Sequence, residues 1–113
     1  MNILITGGNT PLHKIADALL DHVDPGAGPV TIITDGHTPA SRAALLHAKR
    51  RGYDTITYTP DWDTYGKDAG PYCNQEMIDD HPDMCIAFPT ATSRLTNDLI
   101  TRANAAGIPT HIH

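Results

Sequence analysis

Four polar segments of this chain carry groups that could bind a phosphorylated ligand. The longest spans residues 61–77 and reads DWDTYGKDAGPYCNQEM. The other three are turns, Gly7-Gly8-Asn9-Thr10, Asp35-Gly36-His37-Thr38 and TATSRLT at residues 90–96. Each turn follows an apolar run and precedes a helical stretch, whose free N–H groups and positive dipole end favour an anion. A tight strand-to-helix corner would explain any one turn, but three that converge at one edge of a sheet indicate a ligand site.

Single side chains in these segments suggest contacts to particular parts of a ligand. Arg94 stands where the last long helix is expected to begin, and a cation there is poorly placed for the helix dipole. This position suggests a forked donor aimed at a phosphate or carboxylate, although a solvated surface arginine also fits. Trp62 can stack on a base or can anchor the long segment to the core. Glu76 can act as a general base or can orient the short helix around it.

We therefore predict one concave surface at the carboxyl edge of the sheet, able to hold a phosphorylated nucleoside or an ADP-ribose-like molecule. Residues 61–77 are expected to form one wall of it, because so long a connection in a small domain is usually functional. The ligand-binding residues expected on this surface are Gly7, Gly8, Asn9, Gly36, Trp62, Asn74, Ser93, Arg94 and Thr96.

The elements that must position these residues alternate between strands and helices. Short apolar runs predict strands at residues 2–6, 30–34, 54–59, 84–88 and 108–112. Helices are predicted after the first, second and fourth strands, together with a short helix at about 74–80. This order predicts an α/β fold, a Rossmann-like three-layer sandwich around a five-stranded parallel sheet of order 3-2-1-4-5. We expect a single domain over residues 1–113.

Helical spacing also predicts which residues face the core. In the first helix, Asn9 or Thr10 is expected to cap the start and Pro11 to occupy the first turn, before a break at residues 24–29. In the second helix Gly52 is the expected C-cap. The inward residues expected are Ile15, Ala16, Leu19, Leu20 and Val23 in the first helix, Ala40, Ala43, Ala44 and His47 in the second, and Leu99, Ile100 and Ala103 in the last.

Composition excludes several classes of protein. The chain has 113 residues, 40% of them hydrophobic, and a formal net charge of −5, which argues against a nucleic-acid surface. No apolar run approaches the roughly 20 residues needed to span a membrane, and the uncharged, strand-like start MNILITGG is not a signal peptide. A cytoplasmic protein with reduced Cys73 and Cys85 is expected.

Known catalytic and metal-binding motifs are missing from the sequence. His111 and His113 share one face of the last strand, but no Cys or carboxylate lies at ligand spacing, so no metal site and no cofactor are expected. The sequence contains no G-x-x-x-x-G-K-[ST] loop, no G-x-G-x-x-G fingerprint and no G-x-S-x-G turn. A P-loop NTPase, a dinucleotide-binding enzyme of the usual kind and a serine hydrolase are therefore disfavoured.

Three segments together resemble a known group. ITGG after the first strand, DWDTYGKDAGPYCNQEM in the middle and AFP…SRLTNDLITRANAAGIP at the end are similar to the YspA-like, YpsA-related branch of the SLOG superfamily. That superfamily has a Rossmann-like fold and includes the Smf/DprA proteins and the LOG phosphoribohydrolases. The chain departs from the pattern at Pro39 and Leu95, where glycine is usual, at Ser41, where an acid is usual, and at Cys73, where arginine is usual.

The resemblance implies two functions and one assembly. One function is binding of a nucleotide-derived ligand, as a sensor or a sequestering protein. The alternative is hydrolysis of an N-glycosidic bond in a nucleotide, for which Glu76 is the first candidate acid and Asp35 the second. The altered positions favour binding, because Leu95 adds a side chain where backbone would approach a phosphate. Members of the superfamily commonly pair, so a homodimer is expected.

Overall fold

Five parallel strands form one sheet in the computed structural model, which describes residues 1–23, 28–36, 38–90 and 93–113. The strands are β1 (Asn2–Gly7), β2 (Thr31–Thr34), β3 (Asp54–Thr57), β4 (Met84–Phe88) and β5 (Thr110–Ile112). The helices are α1 (Leu12–His22), α2 (Pro39–Arg51), α3 (Trp62–Tyr65), α4 (Ala69–Asp79) and α5 (Arg94–Ala105), with a 3₁₀ turn at Gly66–Asp68.

The sheet has the order β3-β2-β1-β4-β5, which confirms the predicted α/β fold and strand order. All four strand pairs are parallel, and the central strand β1 pairs with β2 on one side and β4 on the other. From β1 the chain crosses through α1 to β2, whereas from β4 it crosses through α5 to β5 on the opposite side. The carboxyl ends of β1 and β4 therefore flank the point where the direction of winding reverses, and ligands of open α/β sheets bind at this point.

Two hydrophobic clusters separate the helices into layers. Side chains alternate across the strands, so that Ile3 and Ile5 of β1 pack with α1 and α2, while Leu4 between them packs with α4 and α5. Both faces of the central strands are covered, which is why these strands read as continuous apolar runs. The result is a helix–sheet–helix sandwich.

Some predicted element bounds and inward faces are wrong. The short helix predicted at 74–80 is the longer helix α4, and strands β3 and β5 are shorter than predicted. In α1 Leu20 is 63% exposed rather than inward. Residues 24–27 of the predicted break at 24–29 lie outside the described residues, as do His37, Ala91 and Thr92.

The face of α2 also differs from the prediction. Ala40, Ala44 and Ala48 are fully buried together with Ser41, whereas His47 lies at the side of the helix. These small side chains let the helix approach the sheet closely, and an imidazole would hold it away. Gly52 ends α2 in the left-handed region with φ 72°, as predicted.

The start of α1 lacks the predicted side-chain cap. The helix begins at Leu12 with Pro11 at the N-cap position, and neither Asn9 nor Thr10 caps its first turn. The Thr10 hydroxyl donates instead to the Gly8 carbonyl at 3.1 Å.

Candidate ligand-binding site

The turns after β1 and β4 touch at the carboxyl edge of the sheet. The Gly8 N–H donates to the Phe88 carbonyl oxygen at 3.0 Å. A Cβ atom on Gly7 would lie 2.5 Å from the same oxygen, and one on Gly8 would collide with the Thr90 methyl group. Both glycines are therefore required for the close approach of the two turns, whether or not a ligand is bound there.

Ser93 and Arg94 lie in the second of these turns. The Thr90 N–H donates to Ser93 Oγ at 3.0 Å, and the two hydroxyl groups also bond to each other, so Ser93 is tied to Thr90. Arg94 is the exposed first residue of α5. Among the described residues, no hydrogen bond or ion pair occupies its guanidinium.

Asn74 and Thr96, both predicted as ligand-binding residues, are buried where α4 meets α5. The Asn74 side-chain amide donates to the Leu95 carbonyl and to Asp98 Oδ2, both at 3.0 Å. Arg102 Nε donates to the same Asp98 oxygen at 2.8 Å, and its Nη1 donates to Gln75 Oε1. The Asn74 amide group therefore joins two helices.

Asp35 and Gly36 occupy the turn that leads into α2. Asp35 is 7% exposed, and its Oδ1 accepts from the N–H and the hydroxyl of Thr38, both at 3.4 Å. The Thr38 hydroxyl in turn accepts from the Ser41 N–H and caps the helix. Gly36 has φ 78° and lies against Thr57, where a Cβ would be 2.6 Å from the Thr57 methyl. The hydrogen bonds of this turn therefore stabilise the start of α2.

Trp62 and Glu76 are exposed and lie on separate helices. Trp62, 48% exposed, is the first residue of α3, which Asp61 caps by accepting from the Thr64 N–H at 3.1 Å. A hydrogen bond from the Thr64 side chain and this bond from the Thr64 N–H lower the pKa of the Asp61 carboxyl. Glu76 is in the middle of α4. The residues predicted to share one concave surface thus lie in several separate places.

A cavity of about 370 Å³ lies between α1 and the ends of β4 and β5, beside the point where the winding reverses. We call it the α1 cavity. Asn9 is the predicted site residue that lines it. The remaining lining residues are Thr10, Lys14, Asp17, Ala18, Asp21, Phe88, Pro89, Thr90 and His113.

The charged groups of the α1 cavity come from one face of α1. Lys14, Asp17 and Asp21 follow Thr10 at intervals of four, three and four residues, which places them above one another along the helix. Within the described ranges no hydrogen bond or ion pair engages the side chain of Lys14 or of Asp17. The sequence pattern did not single these residues out, because charges on an exposed helix face are usually only solvated. Their spacing after Thr10 was the available signal.

Three histidines meet at the other wall of the α1 cavity. His22 Nε2 lies 2.8 Å from His113 Nε2, and the His22 ring stacks on His111 with centroids 3.9 Å apart. Burial lowers the pKa of His22, and His111 and His113 lower it further, while Asp21 raises it. Within the described residues, no group of three or more His, Cys, Asp or Glu side chains could hold a metal ion. The sequence linked His111 with His113 but gave no sign of His22, which comes from the other half of the chain.

Two further cavities lie away from the carboxyl ends of β1 and β4. One of about 500 Å³ lies between α1 and α2 and is lined by Leu20, Tyr53, Arg50 and Arg51 among others. The other, of about 320 Å³, lies on the outer side of α4 and α5 near Tyr72 and Arg102. Neither is lined by a predicted ligand-binding residue. The α1 cavity is therefore our candidate site.

The fold and this cavity define a class, the Rossmann-like α/β domain with a cavity at its strand switch point. The chain is 31% identical over 114 residues to the Gene 61 protein of Mycobacterium phage D29, and the alignment covers 95% of this chain and 91% of the phage protein. It belongs to the family of that phage protein. No family model matches the chain. The resemblance to the SLOG superfamily stays a prediction.

None of the helices in the described ranges is long and apolar enough to cross a bilayer.

Proposed function

We propose that this protein binds a nucleotide-derived ligand, a nucleoside phosphate or an ADP-ribose-like molecule, as a sensor or a sequestering protein. The observation that carries the proposal is the α1 cavity at the strand switch point, with an ammonium group that no described residue pairs. Small ligands of open α/β sheets bind at this place. The cavity volume of about 370 Å³ also falls in the usual range for small-molecule sites.

The chemistry of the walls supports a ligand with a phosphate at one end. Lys14 and the uncapped first turn of α1 supply positive charge near Asn9 and Thr10. Asp17, Asp21 and the hydroxyl of Thr90 supply acceptors for the hydroxyl and amino groups of a nucleoside. Phe88 and His113, with ring centroids 5.6 Å apart, supply aromatic surface.

Catalysis of N-glycosidic hydrolysis by the two acids predicted for it, Asp35 and Glu76, is disfavoured by their positions. Asp35 is held in the turn before α2, and Glu76 lies on α4, so neither lines the α1 cavity. A general acid or base must reach the reacting atoms to within hydrogen-bond distance.

Mass spectrometry of the purified protein is the first test. The protein would be incubated with a pool of nucleotides and dinucleotides, washed and denatured, and the released molecules identified. We expect an intact nucleotide. Free base released from the pool, and no longer released by the Glu76→Gln variant, would contradict a binding role and support the hydrolase.

Calorimetry then tests the place of binding. Lys14→Ala should weaken binding of the recovered nucleotide about tenfold or more, because a hydrogen bond between charged groups is worth about 1.5–3 kcal/mol. The matched control is Lys67→Ala, which removes an exposed lysine from the 3₁₀ turn. Arg94→Ala tests the arginine predicted from the sequence, and an effect of similar size would show that the ligand extends past the Thr90–Ser93 turn. Equal affinity in wild type and Lys14→Ala would exclude the α1 cavity.

Two further parts of the prediction belong to this proposal. We place the protein in the cytoplasm, since Cys73 and Cys85 are free thiols, as is usual in reducing compartments. We also propose a homodimer, which light scattering would contradict by giving a mass near 12.2 kDa at micromolar concentrations.

A further inference from the structure

We infer that the contact between His22 and His113 is a proton-controlled latch on the α1 cavity, so that acidification frees His113 and adds a positive charge to the ligand site. The inference concerns regulation and rests on the proposed function only for its last step, because His113 lines the cavity. His22 closes α1, and His113 follows β5, so the latch ties the helix wall of the cavity to its strand wall.

The geometry limits how many protons the pair can hold. The two Nε2 atoms are 2.8 Å apart, which is a hydrogen bond in which one nitrogen donates and the other accepts. A neutral pair satisfies this, and so does a pair with one added proton, since a charged imidazole can donate to a neutral one. With two added protons both Nε2 atoms are donors, and the bond cannot exist. The latch therefore opens at the second protonation of the pair.

The surroundings make that second proton unfavourable near neutral pH. The His22 ring is stacked on His111 at 3.9 Å and meets His113 edge to face, so a charge on one ring repels a charge on either of the others. Partial burial and these two histidines lower the pKa of His22. Interacting groups of this kind lose their protons in macroscopic steps that belong to the cluster.

Charged groups of the described residues face the latch from two elements. On α1 these are Lys14, Asp17 and Asp21, and Asp21 counteracts part of the repulsion. On β5 there is His111. The part of β4 and its turn that lines the cavity, Phe88, Pro89 and Thr90, carries no titratable group. The closed latch is thus a neutral or singly charged pair with the Asp21 carboxylate close enough to act on His22.

Opening of the latch changes one wall of the cavity without removing it. The His113 N–H donates to the Ala87 carbonyl at 2.9 Å, so the backbone stays paired to β4 when the side chain leaves His22. The freed, protonated imidazole then stands with Lys14 in the same cavity, so the site holds two cationic side chains. We expect anions to bind more tightly at pH 5.5 than at pH 7.5.

Proton NMR of the histidine rings tests the latch without any ligand. In the wild type, the signals of His22 and His113 should change together, in linked steps that both rings share. In His113→Gln the pKa of His22 should rise, because one of the rings that lower it is gone. The control His13→Gln changes an exposed histidine of the same helix and should leave both steps in place. Independent single-step titration of His22 and His113, unaffected by each other's substitution, would overturn the latch.

Sulfate, which keeps its charge between pH 5 and 8, tests the link to the cavity. The affinity for sulfate, measured by calorimetry, should rise at least about threefold from pH 7.5 to 5.5 in the wild type. In His113→Gln the affinity should rise less over the same pH range. A pH dependence identical in wild type and His113→Gln, or no sulfate binding at either pH, would overturn the control of the cavity. The nucleotide experiments judge the proposed function separately, because they are read at one pH and do not depend on the latch. Circular dichroism of each variant verifies that it is folded.

Discussion

Asn74 and Asp98 join α4 to α5 through a hydrogen bond of 3.0 Å, and the same amide also reaches the Leu95 carbonyl. Asn74 is 4% exposed, so its loss would leave two acceptors at the helix contact without this donor. We expect Asn74→Ala to lower the free energy of unfolding by about 1–3 kcal/mol. Urea denaturation measures it, with Asn104→Ala, an exposed position of α5, as the control. Unchanged stability combined with weaker nucleotide binding would instead assign Asn74 to the ligand site.

The glycine at the end of β1 should be harder to replace than a glycine with open space around it. A Cβ on Gly7 meets the Phe88 carbonyl oxygen, whereas one on Gly107, at φ 75°, meets nothing within 4 Å. Gly107→Ala should cost about 1 kcal/mol or somewhat more through backbone strain alone. Gly7→Ala should cost about 1–3 kcal/mol beyond that, because the two turns must move apart. Equal melting temperatures of the two variants would show that the turns can separate freely.

Thr34 offers a way to stabilise the protein. Its Oγ1 is buried and finds no hydrogen-bond partner among the described residues. Thr34→Val keeps the shape and removes the unpaired hydroxyl, so we expect the free energy of unfolding to rise by about 1 kcal/mol or more. Ser41→Ala is the contrasting variant, because the Ser41 hydroxyl is bonded to Thr38 at 2.7 Å and its removal should destabilise the protein. A loss of stability in Thr34→Val, measured in urea, would contradict the prediction.

Acidification should destabilise the folded protein through His47 and His22. Burial lowers the pKa of both rings, and Arg51 and Arg50 lower that of His47 further. As pH falls below 6.5, these two histidines therefore bind protons in the unfolded chain before they do so in the folded chain. Stability is complete above that pH and is lost as pH falls toward the folded pKa values. Thermal melts at pH 7.5 and 5.5 should show a smaller loss in His47→Gln than in the wild type. An equal loss would exclude His47 as a source.

The two thiols should be inert while the protein is folded. Burial raises the pKa of Cys73 and of Cys85 to about 12, and Cys73 Sγ donates to the Tyr58 carbonyl at 3.2 Å. Since the thiolate is the reactive form, a disulfide reagent at pH 8 should label neither residue within minutes, and both promptly in denaturant. Rapid labelling of the native protein would show that the α4 side of the core opens readily.

The sequence was sufficient to predict the fold because local signals agreed with one another. The apolar runs of β1, β2 and β4, each closed by glycine or polar residues, are patterns that only buried parallel strands satisfy well, and the order of elements then leaves few topologies. The face of α2 was less certain because alanines occur at 40, 43, 44 and 48. Packing of the helix against the sheet, which the sequence does not contain, selects among them.

The sequence predicts where the candidate site lies but few of the residues that line it. The edge of the sheet follows from where strands end, and Asn9 does line the cavity there. A side-chain amide such as that of Asn74 can bond to a ligand or to a neighbouring helix. The folded structure decides between these roles, because it places Asp98 next to Asn74. His22 and His113 are 91 residues apart in sequence, so no local pattern could join them.

The central place of β1 in the sheet determines when the α1 cavity can form during folding. β1 can pair with β2 as soon as the first crossover has formed. Its other neighbour, β4, arrives much later, and the Asn2 N–H bonds to the Asp83 carboxylate across 81 residues. Closing so long a loop is slow. One wall of the α1 cavity comes from the early half and the other from the late half. A newly made chain therefore completes the α1 cavity only when its two halves have joined.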